Sequence, residues 1–284
     1  MRSILLLIFC ALFGLVNAQD TLGVMTYNIR NCHAPDGVNA WGKRKHKVFD
    51  LLHKYRPDIL GMQEVRHKQL VHLKLALKNY GEAGVGRDNG RKAGEYSPVF
   101  FRSDKFKLLQ SGNFWLSETP EVPGSKSWDA ALTRICSWVE LQVIGTDSSF
   151  FVFNTHYDHR GEKARENSAL LMAKKVAEIT GGKPFVITGD FNARPDSKAI
   201  SNLIQNIPGL KDAFTTAPEH KTAEVNTDYG FNVSNKQGSK IDYIFCWSGG
   251  MPVSCEIIAD NDGVFYPSDH LPFYSAIILF SVHK

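Results

Sequence analysis

The sequence predicts a mixed-sheet α/β sandwich in one domain, and three observations carry that expectation. Short apolar runs that suit buried strands alternate with stretches of helical periodicity along the whole chain. The 95–160 region has the close spacing of hairpins, which a purely parallel sheet does not produce. No repeat of fixed period and no Pro/Ser/Gly-rich linker divides the chain.

Taken in order, the first segment reads as an address rather than as structure. Met1-Arg2-Ser3 is a short basic start, Ile4 to Val16 is apolar and uncharged, and Val16-Asn17-Ala18 offers small residues for cleavage. The apolar run falls short of the roughly 20 residues that span a bilayer. Residues 1–18 are therefore expected to be a secretory signal peptide, with 19–284 the single folded domain of a secreted or periplasmic monomer. Leu22–Tyr27 and Ile59–Met62 read as buried strands, and Val48, Leu51, Leu52 and Tyr55 recur at helical spacing between them. The basic residues Lys43, Arg44, Lys45 and Lys47 precede that stripe, and a solvated helix face explains them more simply than a nucleic-acid contact. Leu70–Leu77 reads as a second helix. Ser97–Phe101, Ile135–Val143 and Phe150–Thr155 read as strands. Glu162–Ile179 is the longest helical pattern, with Ala164, Ala169, Leu170, Ala173, Val176 and Ala177 on its apolar side and Gly181-Gly182 ending it. Pro184–Thr188, Ile241–Cys246 and Ile277–Val282 complete the expected strands.

Composition narrows the classes. A chain 43% hydrophobic and 22% charged is too apolar to be disordered, and a net charge of +4 excludes a polybasic nucleic-acid binder while leaving most enzymes open. Cys32, Cys136, Cys246 and Cys255 lie at wide, irregular spacings without a Cys-x-x-Cys, which argues against zinc. One or two disulfides and buried free thiols are both compatible with them.

Polar residues recur at the ends of the apolar strands: Asn28, Gln63-Glu64, Asn154-Thr155-His156, Asp190-Phe191-Asn192, Lys240-Ile241-Asp242 and Ser268-Asp269-His270. Any one of these is commonly a turn or cap residue. Six together predict convergence on one rim of the sheets. Glu64, Asp190, Asp242 and Asp269 would repel one another strongly there, and a divalent cation resolves the conflict. Oxygen donors of this kind suit Mg²⁺, with Mn²⁺ or Ca²⁺ as substitutes. The cation lets an acidic cleft accept a phosphate, Asn28, Asn192 and His156 supply neutral donors, and Asp242 with His270 forms a carboxylate–imidazole pair.

The stretches MTYNIR, DILGMQEV, FNTHYDHRG, ITGDFNARPDS, KIDYIF and YPSDHLP resemble, in order, the motifs of the endonuclease/exonuclease/phosphatase superfamily. That superfamily includes deoxyribonuclease I, abasic-site endonucleases, inositol polyphosphate 5-phosphatases and neutral sphingomyelinases. The resemblance covers nearly all of residues 19–284 and is nearest to a group of secreted metal-dependent hydrolases. It implies a deoxyribonuclease I-like four-layered α/β/β/α sandwich that hydrolyses a P–O bond with Mg²⁺. It also implies roles: Glu64 as principal metal ligand with Asn28 and Asp269 nearby, Asp190 acting on the attacking water, Asn192 supporting it and the phosphate, and His156 contacting phosphate. His270, held by Asp242, would be a general base or a phosphate-side donor.

Four arginines, Arg87, Arg134, Arg160 and Arg165, lie in or beside stretches that are candidates for substrate choice, and Arg134 and Arg160 are the stronger candidates for holding an anion. Trp115, Trp128 and Tyr229 are candidates for a pocket wall, although packing alone would explain them. A phosphodiesterase or nuclease is the leading expectation. The alternatives are hydrolysis of a small organic phosphate or lipid headgroup, and a non-catalytic binding module on the same fold. Nucleic acid is thus a candidate substrate, and no apolar run after the first is long enough to cross a membrane.

Overall fold

The computed structural model describes residues 21–280, so the signal-peptide expectation at 1–18 lies outside the described residues. The first half contains β1 (Leu22–Asn28), α1 (Trp41–Tyr55), β2 (Ile59–Gln63), β3 (Val65–Arg66), α2 (His67–Ala76), β4 (Tyr80–Ala83), β5 (Glu95–Tyr96), β6 (Val99–Arg102) and β7 (Phe106–Trp115). It continues with β8 (Ile135–Val143), β9 (Ser149–His156), α3 (Glu162–Thr180), β10 (Phe185–Asp190) and α4 (Lys198–Asn206). The last part holds β11 (Lys211–Asp212), α5 (Ala213–Thr216), β12 (Glu219–His220), β13 (Asp242–Cys246), β14 (Met251–Ile257) and β15 (Phe273–Ile278). One mixed sheet runs β12-β14-β15-β1-β2-β6-β4, the other β11-β13-β10-β9-β8-β7, and β3 pairs with β5 apart from both.

The two large sheets pack face to face, with α1 and α2 outside the first and α3 and α4 outside the second. Strand parity explains why. In β1, Val24 faces the core between the sheets, while Met25 and Tyr27 face α1 and α2. In β10, Val186 faces inward and Ile187 faces α3 and α4. Strands buried on both faces carry apolar residues at consecutive positions, which is why they read as continuous runs. The four-layered α/β/β/α sandwich is therefore present.

Boundaries moved for identifiable reasons. Pro98, which has no N–H to give a ladder, splits the strand expected at Ser97–Phe101 into β5 and β6. The last strand starts earlier than Ile277: Phe273, Ser275 and Ile277 point inward in alternation, and β15 pairs with β1 from Phe273 to Ile277. On α3 the inward side is Ala164, Ser168, Ala169, Met172, Ala173 and Val176, while Leu170 and Ala177 are exposed. All four cysteines among the described residues are free thiols, and Cys136, Cys246 and Cys255 are buried. No helix of the described residues is long and apolar enough to cross a membrane.

Candidate active site

Along the inner faces of the sheets, apolar residues give way first to small or neutral polar groups and then to the site. The sequence runs Val24, Thr26, Asn28 in β1; Val152, Asn154, His156 in β9; and Val186, Thr188, Asp190 in β10. Because β1 is parallel to β2 and β9 to β10, their polar ends fall on the same rim. β13 runs the other way, so its first residue, Asp242, pairs with Asp190. The middle tier ties the sheets together: Gln63 donates Nε2 to Thr26 Oγ1 (3.0 Å) and to Asn154 Oδ1 (2.7 Å), and Thr188 Oγ1 donates to the same Asn154 oxygen (3.0 Å). Asn154 in turn donates Nδ2 to the carbonyls of Met62 and Pro98, at 2.7 and 2.9 Å.

Above this tier the predicted residues meet. Asn28 Nδ2 is shared between Asp190 Oδ2 (2.9 Å) and Glu64 Oε1 (3.3 Å). The other Glu64 oxygen accepts both N–H groups of Asn31, at 2.9 Å from the backbone and 3.0 Å from the side chain. Asp190 lies 3.4 Å from His156 Nε2 and 3.8 Å from His270 Nε2, and its second oxygen accepts the Asn192 N–H at 2.9 Å. His270 Nδ1 is 2.8 Å from Asp242 Oδ2. Asp269 lies 3.4 Å from an Arg30 guanidinium nitrogen and accepts Ser268 Oγ. Five non-glycine residues among those described have positive φ, and three of them, Arg30 (54°), Glu64 (60°) and Asn192 (46°), are in this cluster. Such backbone costs energy and persists where the surroundings impose it, commonly at functional sites.

The electrostatics follow from burial. Removal from water, with repulsion from Asp242, pushes the Asp190 carboxyl up to about 7. Burial and the neighbouring Glu64 charge also raise Asp269. Glu64 goes the other way: burial opposes its charge, but the two Asn31 donors, His270 and Arg30 hold it below the ordinary carboxylate range. Burial likewise disfavours the His270 imidazolium, yet Asp242 and Asp190 hold it charged to well above its usual range. His156 is pushed far down by burial and by Arg134 and Arg87. It is therefore neutral, and with Asn192 Nδ2 donating to Nε2 at 2.9 Å its proton sits on Nδ1.

This donor set fits a hard divalent cation. Four buried or nearly buried carboxylates share the rim, and one oxygen of Asp242 has no hydrogen-bond partner in the protein. Ligand atoms of Asp190, Asp242 and His270 lie within 4.8 Å of one another. The direct His270–Asp242 bond makes that trio an ion-paired unit, and Glu64, Asn28 and Asp269 are the oxygen-bearing residues beside it that make no direct bond to the imidazole.

The arginines separate. Arg134 is buried, 3.4 Å from Asp158 and 3.0 Å from His159 Nδ1. Arg87, also buried, pairs with Glu95 at 2.5 Å, and Arg66 reaches the other oxygen of Glu95 at 3.9 Å. Arg160 is exposed and engages Asp158 through its backbone N–H alone, while Arg165 bonds the Asp158 carbonyl. Trp115 is buried and donates to the Arg87 carbonyl, Trp128 is half-buried, and Tyr229 is buried with its N–H on Asp269 O. Arg44 departs from the solvated helix face expected of it. It is 2% exposed, donates to the carbonyls of Asn39, Pro267 and Arg30, and lies between the rings of Trp41 and Phe231.

Several contributors were not singled out from sequence: Arg30, Asn31, Glu95 and Asp158. Asn31 had a signal, since a second Asn three residues after Asn28 is an unusual thing to place beside a buried strand end. Glu95 and Asp158 had none, because their partners are 8 and 24 residues away.

Residues 25–270 match the Endonuclease/Exonuclease/phosphatase family. A solved endonuclease/exonuclease/phosphatase from Bacteroides vulgatus is 39% identical and superposes with a TM-score of 0.87, covering 92% of this chain and 99% of that one. A mannosyl-6-phosphatase from Bacteroides thetaiotaomicron is 35% identical with a TM-score of 0.85, covering 90% and 99%. Mouse nocturnin is 25% identical over 278 residues; the match covers 89% of this chain, which spans 61% of nocturnin's length.

Proposed function

The chain belongs to the endonuclease/exonuclease/phosphatase family of metal-dependent phosphoester hydrolases, and from that premise we propose that it is an exported, Mg²⁺-dependent phosphomonoesterase acting on a sugar-like alcohol. The observation that carries the hydrolase reading is the Asn28 amide shared between Glu64 and Asp190, which sets a metal-type carboxylate beside a proton-accepting one. The leading expectation from sequence was a phosphodiesterase or nuclease. The likeness over nearly full length to a mannosyl-6-phosphatase moves the reading to the small-phosphate alternative. Export rests on the pattern of residues 1–18.

Glu64, Asn28 and Asp269 would hold the cation, which when bound supplies Lewis-acid stabilisation of the phosphoryl oxygens. Asp190 takes the proton of the attacking water, whose oxygen bonds to phosphorus as the ester P–O bond breaks; the leaving oxygen keeps that electron pair and takes a proton from the His270 imidazolium to depart as the alcohol. Asn28 and the Asn192 N–H orient the Asp190 carboxylate for this. Asn192 uses both side-chain hydrogens on His156 Nε2 and the Tyr157 carbonyl, so it fixes the histidine tautomer and leaves Nδ1–H to donate to phosphate. His270, charged between Asp242 and Asp190, acts as a hydrogen-bond donor and acid on the phosphate side.

The test is phosphate release and strand scission by residues 19–284 with Mg²⁺. The panel is mannose 6-phosphate, p-nitrophenyl phosphate, bis(p-nitrophenyl) phosphate, plasmid DNA and RNA. Monoesters are expected to exceed diesters in kcat/KM by roughly ten-thousandfold, the scale at which a site built to hydrogen-bond a group rejects an analogue that lacks it. Preferential degradation of DNA or RNA would overturn the substrate assignment. No turnover of any substrate with any divalent cation would overturn the hydrolase reading.

A further inference from the structure

The buried ionic network beside the site has more donors than partners. Arg87, Arg134 and His156 are 6%, 4% and 6% exposed, and each carries a buried nitrogen without a hydrogen-bond partner in the protein: Arg87 Nε, Arg134 NH1 and His156 Nδ1. Arg66 Nε is a fourth. Native proteins rarely bury so many unpaired donors together, because each forgoes its bonds to water.

Chain topology puts them on one wall. Arg134 immediately precedes β8, whose antiparallel pairing sets Cys136 against Thr155, so Arg134 falls opposite Tyr157, the residue that follows His156 at the end of β9. Arg66 and Glu95 are partners in the β3–β5 ladder, one step past Glu64. The Arg87 N–H bonds the Glu95 carbonyl at 3.0 Å, which brings Arg87 to the same place. The wall thus runs from the metal-side carboxylate Glu64 to the phosphate-side His156. Three guanidiniums face two buried carboxylates, Glu95 and Asp158, and a third, the exposed Asp88, lies 3.9 Å from Arg87 Nε, yet the guanidiniums still act against one another. Burial comes first for each group, but Arg134 and Arg66 further disfavour the Arg87 charge, and Arg134 and Arg87 further disfavour charge on His156. The wall is also rigid. Trp115 Nε1 holds the Arg87 carbonyl at 2.6 Å, Leu116 N–H holds the Arg134 carbonyl at 2.9 Å, and Asp158 accepts the N–H groups of Leu132, Arg160 and Gly161.

We infer that Arg87 and Arg134, with His156, form a preorganised anion subsite that takes the terminal non-bridging oxygens of a phosphoryl dianion and so selects monoesters over diesters. The inference rests on the phosphomonoesterase reading and supplies its means of selection. A diester is a monoanion with an alkyl group where the dianion presents a bare oxygen. Against two forked guanidiniums it loses a charge-assisted bond and leaves a buried donor unpaired.

Calorimetry reads the subsite without turnover. Mg²⁺-loaded wild type is expected to bind inorganic phosphate at least tenfold more tightly than dimethyl phosphate, a comparison that needs no variant. Arg134→Gln and Arg87→Gln, each checked by thermal melting, are expected to weaken phosphate about tenfold or more and to leave dimethyl phosphate unchanged. They should also lower kcat/KM for p-nitrophenyl phosphate more than for bis(p-nitrophenyl) phosphate, narrowing the ratio between them. Equal wild-type affinity for the two ligands, or folded variants with wild-type phosphate affinity, would overturn the subsite. Tight, arginine-dependent phosphate binding in a protein that turns over no monoester would instead uphold the subsite and overturn the functional reading.

Discussion

Replacing Arg44 with methionine tests how the site is held, because this side chain touches three segments that converge there. Its guanidinium donates to Asn39 O at 2.7 Å, Arg30 O at 2.9 Å and Pro267 O at 3.0 Å. Arg30 follows Asn28 by two residues, and Pro267 precedes the Ser268–Asp269–His270 run. The rings of Trp41 and Phe231 each lie 5.2 Å from the guanidinium carbon. Hydrogen bonds to a charged group contribute about 1.5–3 kcal/mol each. Methionine recovers packing and removes a buried charge, and Gln69 Nε2 still holds Arg30 O at 2.9 Å, so the loss is smaller than three such bonds. A destabilisation of about 3–5 kcal/mol results. For a chain of this size that is a fall of roughly 6–20 °C in melting temperature. Calorimetry gives the melting point, and steady-state hydrolysis below it should show reduced kcat, since Asn28 and Asp269 lose their common anchor. A variant melting within about 2 °C of wild type with unchanged kcat would refute the reasoning.

Other outcomes follow from the same geometry. In metal-free protein the Asp190 carboxyl sits at about 7, above the ordinary value near 3.9, so the folded state binds a proton the unfolded chain releases. The resulting stability is present below pH ~4 and is lost as pH rises through 7. Asp190→Asn should therefore raise the metal-free melting temperature more at pH 8 than at pH 5, while abolishing hydrolysis; an equal rise at both pH values would refute it. Asp158 behaves oppositely. Burial would raise it, but the N–H groups of Gly161, Leu132 and Arg160 hold it far below the usual range. Its contribution is present above pH ~4 and is lost as pH falls through its folded value. Urea titrations should show Asp158→Asn costing about 1–3 kcal/mol at neutral pH and less at pH 3. A Cβ at Gly61 would lie 2.0 Å from Thr188 Oγ1 and 2.7 Å from Asn154 Oδ1, inside the bonded tier between the sheets. Gly61→Ala should cost about 1–3 kcal/mol by denaturant unfolding, and a neutral substitution would show that the tier yields.

Much of this was legible in the chain because β-strands have a period of two and the site uses it. Val24-x-Thr26-x-Asn28 and Val186-x-Thr188-x-Asp190 each state in sequence that one face turns from apolar to reactive at the strand end. Asn28, Glu64, His156, Asp190, Asn192, Asp242, Asp269 and His270 were all visible as strand-end polar residues, and the structure places them together. Arg44 was not legible. Three neighbouring basic residues made it look like part of a wet face, and only the distant Pro267 and Phe231 reveal that it is buried. The β7 strand was missed because half of its residues are exposed at a sheet edge, which leaves no continuous apolar run to read. Helix α4 was overlooked as well, although Ser197 caps it and Ala199, Ile200 and Leu203 mark its buried side. The Arg87–Glu95 and Arg134–Asp158 pairs are contacts across loops, and no local pattern encodes them.

The central claim is that this rim hydrolyses a phosphate monoester with a divalent cation and Asp190. The most direct measurement is inorganic phosphate released from mannose 6-phosphate by wild type and Asp190→Asn, each with Mg²⁺ and with excess EDTA. Release by wild type with Mg²⁺, and a fall of at least about a thousandfold with EDTA or in Asp190→Asn, is the predicted result. Equal release in all four samples, or none in any, would contradict it.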